Sequence, residues 1–181
     1  MPDVEAARAF LRDSDLVVEA AAVDAAIARL GAEITEACAN EYPLLLTVMG
    51  GAVMFAGRLL PLLRFPLDID YLHATRYGDA TKGGGLEWKV APPASVKGRH
   101  VLVLDDILDA GHTLRAIRDR LLEAGAASVR CAVLVEKVLP AAKPITADFV
   151  GLRIPDRFVF GCGMDAKGYW RNLPEIRAIK E

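Results

Sequence analysis

The sequence predicts an α/β fold in which a mostly parallel central sheet is covered by helices on both faces. Short apolar segments alternate along the chain with longer segments in which apolar residues recur at helical spacing. The short segments are almost entirely apolar, which is typical of strands that are buried on both faces of a parallel sheet. There is no internal repeat and no long linker, so we expect residues 1–181 to form a single domain.

The first part of the chain supplies two helices and two strands to this pattern. Apolar residues recur at three- and four-residue steps over residues 22–40, which predicts an amphipathic helix. Residues 44–48 are an apolar run bounded by Pro and Gly, which predicts a buried strand. The glycines at 50–51 then turn the chain into a second helix that ends near Leu63, and residues 65–71 predict another strand.

The second part of the chain begins with a segment rich in Gly and Pro, residues 78–99. Such a segment predicts a mobile functional loop, at about residues 76–90, or a hairpin with a flexible tip. The apolar run 101–104 predicts a central strand, and the helical spacing that follows it ends at a plausible capping residue, Gly125. Further short strands are predicted at residues 132–135, 147–152 and 157–160.

The composition excludes several classes of protein. A net charge of −2 and a hydrophobic fraction of 53% argue against disorder and against nucleic-acid binding through bulk positive charge. No apolar run approaches the roughly 20 residues of a membrane span, and the first residues do not resemble a signal peptide. We therefore expect a cytoplasmic protein without a membrane or nucleic-acid partner. The cysteines are far apart, which favours reduced thiols over a zinc site.

The clearest functional signal is the segment VLVLDDILDAGHTL, residues 101–114. Adjacent acids, Asp105 and Asp106, follow an apolar strand, and a short turn from Asp109 to Thr113 leads into a helix. Amide N–H groups at the start of a helix favour an anion such as phosphate. Carboxylates would repel phosphate, so they are suited to sugar hydroxyls or a divalent metal. A ligand that offers phosphate, hydroxyls and metal together is a phosphorylated ribose.

This segment resembles the phosphoribosyl-pyrophosphate (PRPP) motif of type I phosphoribosyltransferases, although Ala110 replaces the Thr or Ser often found there. Residues 149–176, FVGLRIPDRFVFGCGMDAKGYWRNLPEI, are similar to the C-terminal segment of hypoxanthine-guanine phosphoribosyltransferases. Residues 134–137, LVEK, resemble the purine-reading segment of that family, and residues 48–51, VMGG, resemble its pyrophosphate loop. The resemblance implies the type I fold with a small purine-binding hood at about residues 149–181.

The resemblance also implies roles in binding PRPP. The acids after the central strand would hold the ribose hydroxyls and Mg²⁺, the turn after them would hold the 5′-phosphate, and a tight peptide that can be cis would meet pyrophosphate. Asp109 would be the general base near N7 of the purine. The implied PRPP- and phosphate-binding residues are Asp105, Asp106, Ala110, Gly111, His112, Thr113, Met49, Gly50 and Arg171.

On the purine side, Lys137 would donate to the 6-oxygen, Phe158 would stack on the base, and the Val159 backbone would meet its edge. Asp165 would bind a second Mg²⁺ through pyrophosphate. Lysine has only donors, so it pairs with a 6-oxo group and not with a 6-amino group. We expect adenine to be rejected because its amino group would leave a buried ammonium unpaired.

The family resemblance further implies a lid and a homo-oligomer. Arg76 and Tyr77 stand where the family has a Ser-Tyr pair at the tip of a loop that closes over the reaction and excludes water. The family forms dimers or tetramers, so we expect a homodimer or homotetramer, and the apolar helix at residues 52–63 could supply a face.

Together these features predict a Mg²⁺-dependent enzyme of purine salvage that converts hypoxanthine or guanine and PRPP into IMP or GMP and pyrophosphate. One alternative is a catalytically weak regulator of the same fold that binds nucleotide and RNA. Another is a transferase that prefers xanthine. The near-neutral charge and the retention of Asp109 and Lys137 favour an enzyme, but the sequence does not separate xanthine from guanine.

Overall fold

The computed structural model of the protein describes residues 3–76 and 86–180. These residues form α-helices at α1 (Val4–Arg12), α2 (Ala20–Cys38), α3 (Val53–Leu59) and α4 (His112–Glu123), with a 3₁₀ turn at Leu60–Leu62 and another at Ala94–Val96. The strands are β1 (Ser14–Val18), β2 (Leu44–Val48), β3 (Asp68–Arg76), β4 (Leu86–Val90), β5 (His100–Leu108), β6 (Ser128–Val138), β7 (Phe149–Pro155), β8 (Val159–Phe160) and β9 (Ile176–Ile179).

The larger of two sheets has the strand order β4-β3-β2-β5-β6-β7. Its neighbouring strands are parallel, except that β4 pairs antiparallel with β3. In β5, Leu102 and Leu104 pack in a core with α2 and α3, whereas Val101 and Val103 pack in a second core with α4. Successive side chains of a strand point to opposite faces, so the sheet is covered on both sides and the predicted fold class is confirmed.

The helix and strand boundaries differ from the predicted ones in two informative places. The central strand β5 continues through Asp105 and Asp106 to Leu108, because Leu108 still pairs with Glu136 of β6. The strand therefore ends later than the predicted run 101–104, and the turn begins at Asp109, where the sequence analysis placed it. Strand β3 begins at Asp68 and runs to Arg76, so it lies later in the chain than the predicted strand at 65–71.

The predicted end of the helix at Gly125 is confirmed. Gly125 has a φ of +91°, which glycine adopts without the steric cost that other residues have. Its N–H donates to the Leu122 carbonyl at 2.9 Å, and the Ala126 N–H donates to the Leu121 carbonyl at 3.1 Å. This pair of bonds is the Schellman motif that closes many helices.

The smaller sheet, which we call the terminal sheet, joins the two ends of the chain in the order β1-β9-β8. Arg157 strengthens the connection, because its guanidinium donates to Asp15 at 2.6 Å and to the Ile179 carbonyl at 2.9 Å. Residues 149–155 pair with β6 in the larger sheet instead. Only the later residues of the predicted hood therefore belong to the terminal sheet, and they share it with an N-terminal strand.

The Gly-rich segment contributes a strand to the larger sheet. Residues 86–90 form β4, whose antiparallel pairing with β3 favours the hairpin over a loop along that part of the segment. Tyr77 lies outside the described residues, and so do the glycines that follow it. Where the structure describes the chain, no helix combines the length and the apolarity needed to cross a membrane. All the cysteines are buried and free of disulfide bonds.

Candidate active site

Two adjoining clefts open at the carboxyl ends of the parallel strands, where ligands collect in α/β sheets. The first has a volume of about 400 Å³ and lies between the ends of β2, β3 and β5 and the start of α4. The second has a volume of about 220 Å³ and lies between the ends of β5 and β6 and the loops around β8. The residues that line both clefts are Asp106, Ile107, Asp109 and Arg171.

The first cleft contains the turn that was predicted to bind phosphate. All of Asp109, Ala110, Gly111, His112 and Thr113 line it. Gly111 precedes α4 with a φ of +84°, and a Cβ there would meet the Cγ2 methyl group of Ile145 at 3.2 Å. The first amides of an α-helix have no carbonyl partner within the helix. This turn therefore presents free N–H groups to the cleft, as an anion site requires.

The acidic pair lies at the floor of the same cleft. Burial, and next the charge of Asp106, raises the pKa of Asp105 well above its ordinary value. Burial also raises the pKa of Asp106. The Asp106 N–H donates to Asp105 Oδ1 at 3.0 Å and partly offsets this cost for Asp105. Two buried carboxylates side by side favour a cation or hydroxyl donors from a ligand.

These carboxylates fit the chemistry of Mg²⁺. Magnesium is usually bound by one or two carboxylates together with the phosphates of a substrate, and not by a complete cage of protein ligands. Asp105 and Asp106 supply such a pair, whereas the described residues contain no cluster of three or more His, Cys, Asp or Glu side chains.

The predicted pyrophosphate loop forms another wall. The Met49-Gly50 peptide is cis, and both residues line the first cleft. At the next residue, Gly51, a Cβ would lie 1.8 Å from Asp106 Oδ2, so a side chain there would displace the Asp106 carboxylate or the loop. A Cβ at Gly163 would lie 1.9 Å from the Gly51 carbonyl oxygen, so only glycine fits at that position. The acidic pair, the loop and the C-terminal segment are thus in direct contact.

The second cleft brings together the predicted purine-binding residues, Lys137, Phe158, Val159 and Asp165. Lys137 is only 9% exposed, and its Nζ lies 3.2 Å from Asp109 Oδ2 and 3.7 Å from Asp156 Oδ1. The ammonium therefore has carboxylate partners, which corrects the reason given above for rejecting adenine: it would not be left unpaired. Phe158 is 55% exposed, so its ring is available to a ligand.

Arg171 lies at the boundary between the clefts. Its guanidinium forms an ion pair with Asp165 and donates to the Gly163 carbonyl at 2.6 Å. Asp165 also accepts from the Gly168 N–H at 2.7 Å. Arg171 is thus fixed by the C-terminal segment, while part of its side chain still lines both clefts.

Sequence reasoning missed several residues of these clefts. His73 and Thr75 line the first one at the end of β3, where the predicted strand had already ended. Gly51, Gly163 and Asp156 were not assigned a role. The shared edge of a parallel sheet could have indicated the β3 residues, but the glycine contacts connect distant segments and have no local signal. Arg76 ends β3, and the lid proposed around it lies mostly outside the described residues.

Comparison with known proteins gives this geometry a family. A model of the phosphoribosyl transferase domain matches residues 15–167. The chain belongs to the phosphoribosyltransferase family. It is 36% identical over 154 residues to a hypoxanthine-guanine phosphoribosyltransferase of Streptococcus pneumoniae, covering 84% of this chain and 86% of the relative. It is 35% identical over 156 residues to the enzyme of that name from Bacillus subtilis, with 85% and 86% covered.

Solved structures agree with this phosphoribosyltransferase assignment. A hypoxanthine phosphoribosyltransferase from Staphylococcus aureus superposes with a TM-score of 0.88 at 27% identity, over 95% of each chain. A hypoxanthine-guanine-xanthine phosphoribosyltransferase superposes with a TM-score of 0.78 at 31% identity, over 94% of this chain and 97% of the other. The resemblance to hypoxanthine-guanine phosphoribosyltransferases is confirmed.

Proposed function

We propose that the chain transfers the phosphoribosyl group of PRPP to hypoxanthine or guanine, giving IMP or GMP and pyrophosphate in purine salvage. The observation that carries this proposal is the meeting of the two clefts at Asp109: the turn from Ala110 to Thr113 lies on one side of it, and the cleft of Lys137 and Phe158 lies on the other. The named relatives support the enzyme over the RNA-binding alternative.

In the proposed mechanism, the chain's own residues hold both substrates and move one proton. The turn from Ala110 to Thr113 binds the 5′-phosphate, and the acidic pair binds the ribose hydroxyls. Lys137 donates to the purine 6-oxygen, Phe158 stacks on the ring, and the Val159 backbone meets the base edge. Asp109 accepts the proton from N7 as the new bond to ribose forms, a contribution of about 10²- to 10⁴-fold for a positioned base.

Pyrophosphate leaves on the other side of the ribose. The Met49-Gly50 peptide and Arg171 bind it, and the proposed lid at Arg76 and Tyr77 excludes water. Asp105 and Asp106 would hold Mg²⁺ together with PRPP, and Asp165 would hold a second ion through pyrophosphate. When bound at these carboxylates, Mg²⁺ would supply positive charge for the leaving group.

A steady-state assay tests the proposal. Purified protein is incubated with PRPP, Mg²⁺ and hypoxanthine, guanine, xanthine or adenine, and nucleotide formation is followed by absorbance. We expect turnover of hypoxanthine and guanine and little turnover of adenine. A folded protein that turns over no 6-oxopurine would contradict the assignment. Xanthine is included because one solved relative carries xanthine in its name.

We also propose that the chain forms a homo-oligomer through the face that carries α3 and β3. Val53, Ile69 and Tyr71 are 48%, 63% and 47% exposed and surround an open, mainly apolar groove. Large exposed apolar patches on soluble proteins mark interaction sites. The groove also contains Met49, so a second copy there would lie directly behind the pyrophosphate loop.

A further inference from the structure

A buried lysine outside the residues assigned above connects the ends of two strands. Lys143, in the loop between β6 and β7, has a side chain that is only 10% exposed. Its ammonium donates to the Lys137 carbonyl at 2.5 Å, to the Leu108 carbonyl at 3.1 Å and to Glu136 Oε1 at 3.3 Å. The other oxygen of Glu136 accepts from Arg153 at 3.1 Å. An ammonium has three donors, and each donor of Lys143 has a partner.

The positions of these partners matter more than their number. Leu108 immediately precedes Asp109, and its carbonyl lies at the last registered pair between β5 and β6, where Leu108 faces Glu136. Beyond this point the ladder no longer fixes the two backbones relative to each other. Lys143 connects the two strands past this point, because its ammonium donates to one carbonyl on each strand.

The same loop also supports the phosphate-binding turn. A Cβ at Gly111 would lie 3.2 Å from Ile145 and 3.4 Å from Pro144. Arg115, in the first turn of α4, donates to the Pro144 carbonyl at 3.2 Å. The phosphate turn thus has contacts of its own to this loop that do not involve the ammonium of Lys143.

We propose that Lys143 is a positioning residue for base recognition: it holds the ends of β5 and β6 at the spacing at which Asp109 and Lys137 face the same purine. This inference rests on the proposed function and adds a residue to it. Lys143 itself touches no substrate. Its effect passes through the backbone of Lys137 and through the residue before Asp109. The side chains of Lys137 and Asp109 meet, with Nζ and Oδ2 3.2 Å apart. Displacements of about 1 Å between reacting groups cost as much as 10²-fold in rate.

The test compares Lys143→Met, which keeps the length of the side chain and removes its donors, with wild type. Lys97→Met, at an exposed lysine, is the matched control. We measure kcat, KM for hypoxanthine, KM for PRPP and the ratio of hypoxanthine to adenine turnover. We expect kcat/KM for hypoxanthine to fall about tenfold or more, and the ratio of hypoxanthine to adenine turnover to decrease. KM for PRPP should stay within about threefold of wild type.

A conservative variant provides a rescue. Lys143→Arg keeps a cation with several donors, and the open cleft of about 450 Å³ beside Lys143 has room for the larger group. It should recover part of the loss in kcat/KM that Lys143→Met causes. If Lys143→Met does not fold, Lys143→Arg and Lys143→Gln carry the same comparison, with circular dichroism to verify folding.

The outcomes separate this inference from the function on which it rests. A Lys143→Met enzyme with wild-type kinetics would overturn the positioning role. A parallel loss of PRPP and hypoxanthine binding together with a lower Tm would also overturn it, because that pattern indicates general destabilisation. A wild type without turnover of any 6-oxopurine would overturn the proposed function, and the role of Lys143 with it.

Discussion

The side chains of Asp109 and Lys137 form a donor and an acceptor placed side by side. The Lys137 ammonium is buried and the Asp109 carboxylate is half exposed. The second cleft therefore has a fixed hydrogen-bond donor next to an accessible acceptor. A 6-oxopurine offers an acceptor at its 6-oxygen and, when N7 carries the proton, a donor next to it. The pair matches that edge, whereas a 6-amino group would direct its hydrogens at the ammonium. We therefore expect discrimination against adenine to come from the mismatch between the amino hydrogens of adenine and the donors of Lys137.

Replacing Asp109 by Asn tests its role as the base. The amide keeps the shape and can still accept from Lys137, but it cannot take a proton. We expect kcat to fall by about 10²- to 10⁴-fold, while the Kd for PRPP, measured by calorimetry, changes far less. Equal losses in both quantities would indicate a binding role instead.

Replacing Lys137 by Ala tests base recognition. The change removes the donor to the 6-oxygen and should raise KM for hypoxanthine and guanine by about tenfold or more, the scale of a lost charged hydrogen bond. Asp109 and Asp156 lose their cation, but both are more than half exposed and remain hydrated. KM for PRPP should therefore stay close to wild type. Unchanged purine affinity would refute the recognition scheme.

Asp105 makes a prediction about stability and pH. Because its pKa in the folded protein is raised, chiefly by burial, ionisation favours the unfolded chain. The penalty is absent below the ordinary pKa of 3.8 and complete above the raised pKa. Asp105→Asn should therefore raise the Tm of the ligand-free protein at neutral pH while it lowers activity. The amide oxygen can still accept from the Asp106 N–H.

The gain in Tm from Asp105→Asn should shrink as the pH is lowered towards 4, since the wild-type carboxyl is then neutral as well. Thermal melts across this range, with the exposed Glu36→Gln variant as control, measure the effect. A Tm that falls at neutral pH would show that the carboxylate is stabilising in the ligand-free fold and that its burial has been misjudged.

At the scale of helices and strands, the sequence pattern predicted the elements whose positions depend on neighbouring residues in the chain. The periodic apolar residues of α2 and the apolar run of β2 gave their positions to within two residues. The end of β5 was placed too early because Asp105 and Asp106 look like surface residues. The strand continues through them because Asp105, Ile107 and Leu108 pair with β6. Strand β9 and its partner β1 escaped prediction because they stabilise each other across most of the chain.

The candidate site follows the same rule. The residues of the phosphate turn lie within one short motif, and those of the second cleft lie in two segments, 134–137 and 149–176, that resemble family motifs, so both sets could be named from the sequence. Lys143 was not, since its partners come from the ends of two other segments and a lysine in a loop usually lies in solvent. Gly51 and Gly163 were not assigned either. The sequence does not distinguish a glycine that a close contact between distant segments requires from a glycine in an ordinary turn.

The contact between the pyrophosphate loop and the acidic pair gives a prediction at this scale. Gly51→Ala places a methyl group within 1.8 Å of Asp106 Oδ2, so either the loop or the Asp106 carboxylate must move. We expect a lower Tm and at least tenfold weaker binding of pyrophosphate, measured by calorimetry. Glu36→Ala, at an exposed position in α2, is the control and should keep or slightly raise the Tm. Equal behaviour of the two variants would contradict the packing described.

At the scale of the whole molecule, the described residues leave an apolar and open face around α3 and β3. The clefts lie at the carboxyl edge of the sheet, and Met49 belongs both to the first cleft and to the groove on this face. Association through the face would therefore support the pyrophosphate loop from behind. Oligomeric state and activity should change together.

Ile69→Lys tests this expectation, since Ile69 is 63% exposed and lines the groove. A charge there opposes burial against a second copy, so the variant should sediment as a smaller species than wild type and lose activity at low protein concentration. Leu122→Lys, at an apolar residue of α4 that is 44% exposed, is the control and should sediment like wild type. A monomeric wild type, or an Ile69→Lys protein of unchanged size, would exclude the face as an interface.

The terminal sheet has a consequence for how the protein is made. Strand β1 is synthesised long before its hydrogen-bonding partner β9, which is formed by residues 176–179. Until those residues leave the ribosome, β1 and β8 both lack their pairing partner β9. The loops that carry Phe158 and Arg171 are then not held by the terminal sheet. The larger sheet can assemble during translation, but the second cleft cannot. A nascent chain stalled before residue 176 should therefore bind no nucleotide, however well its central strands have folded.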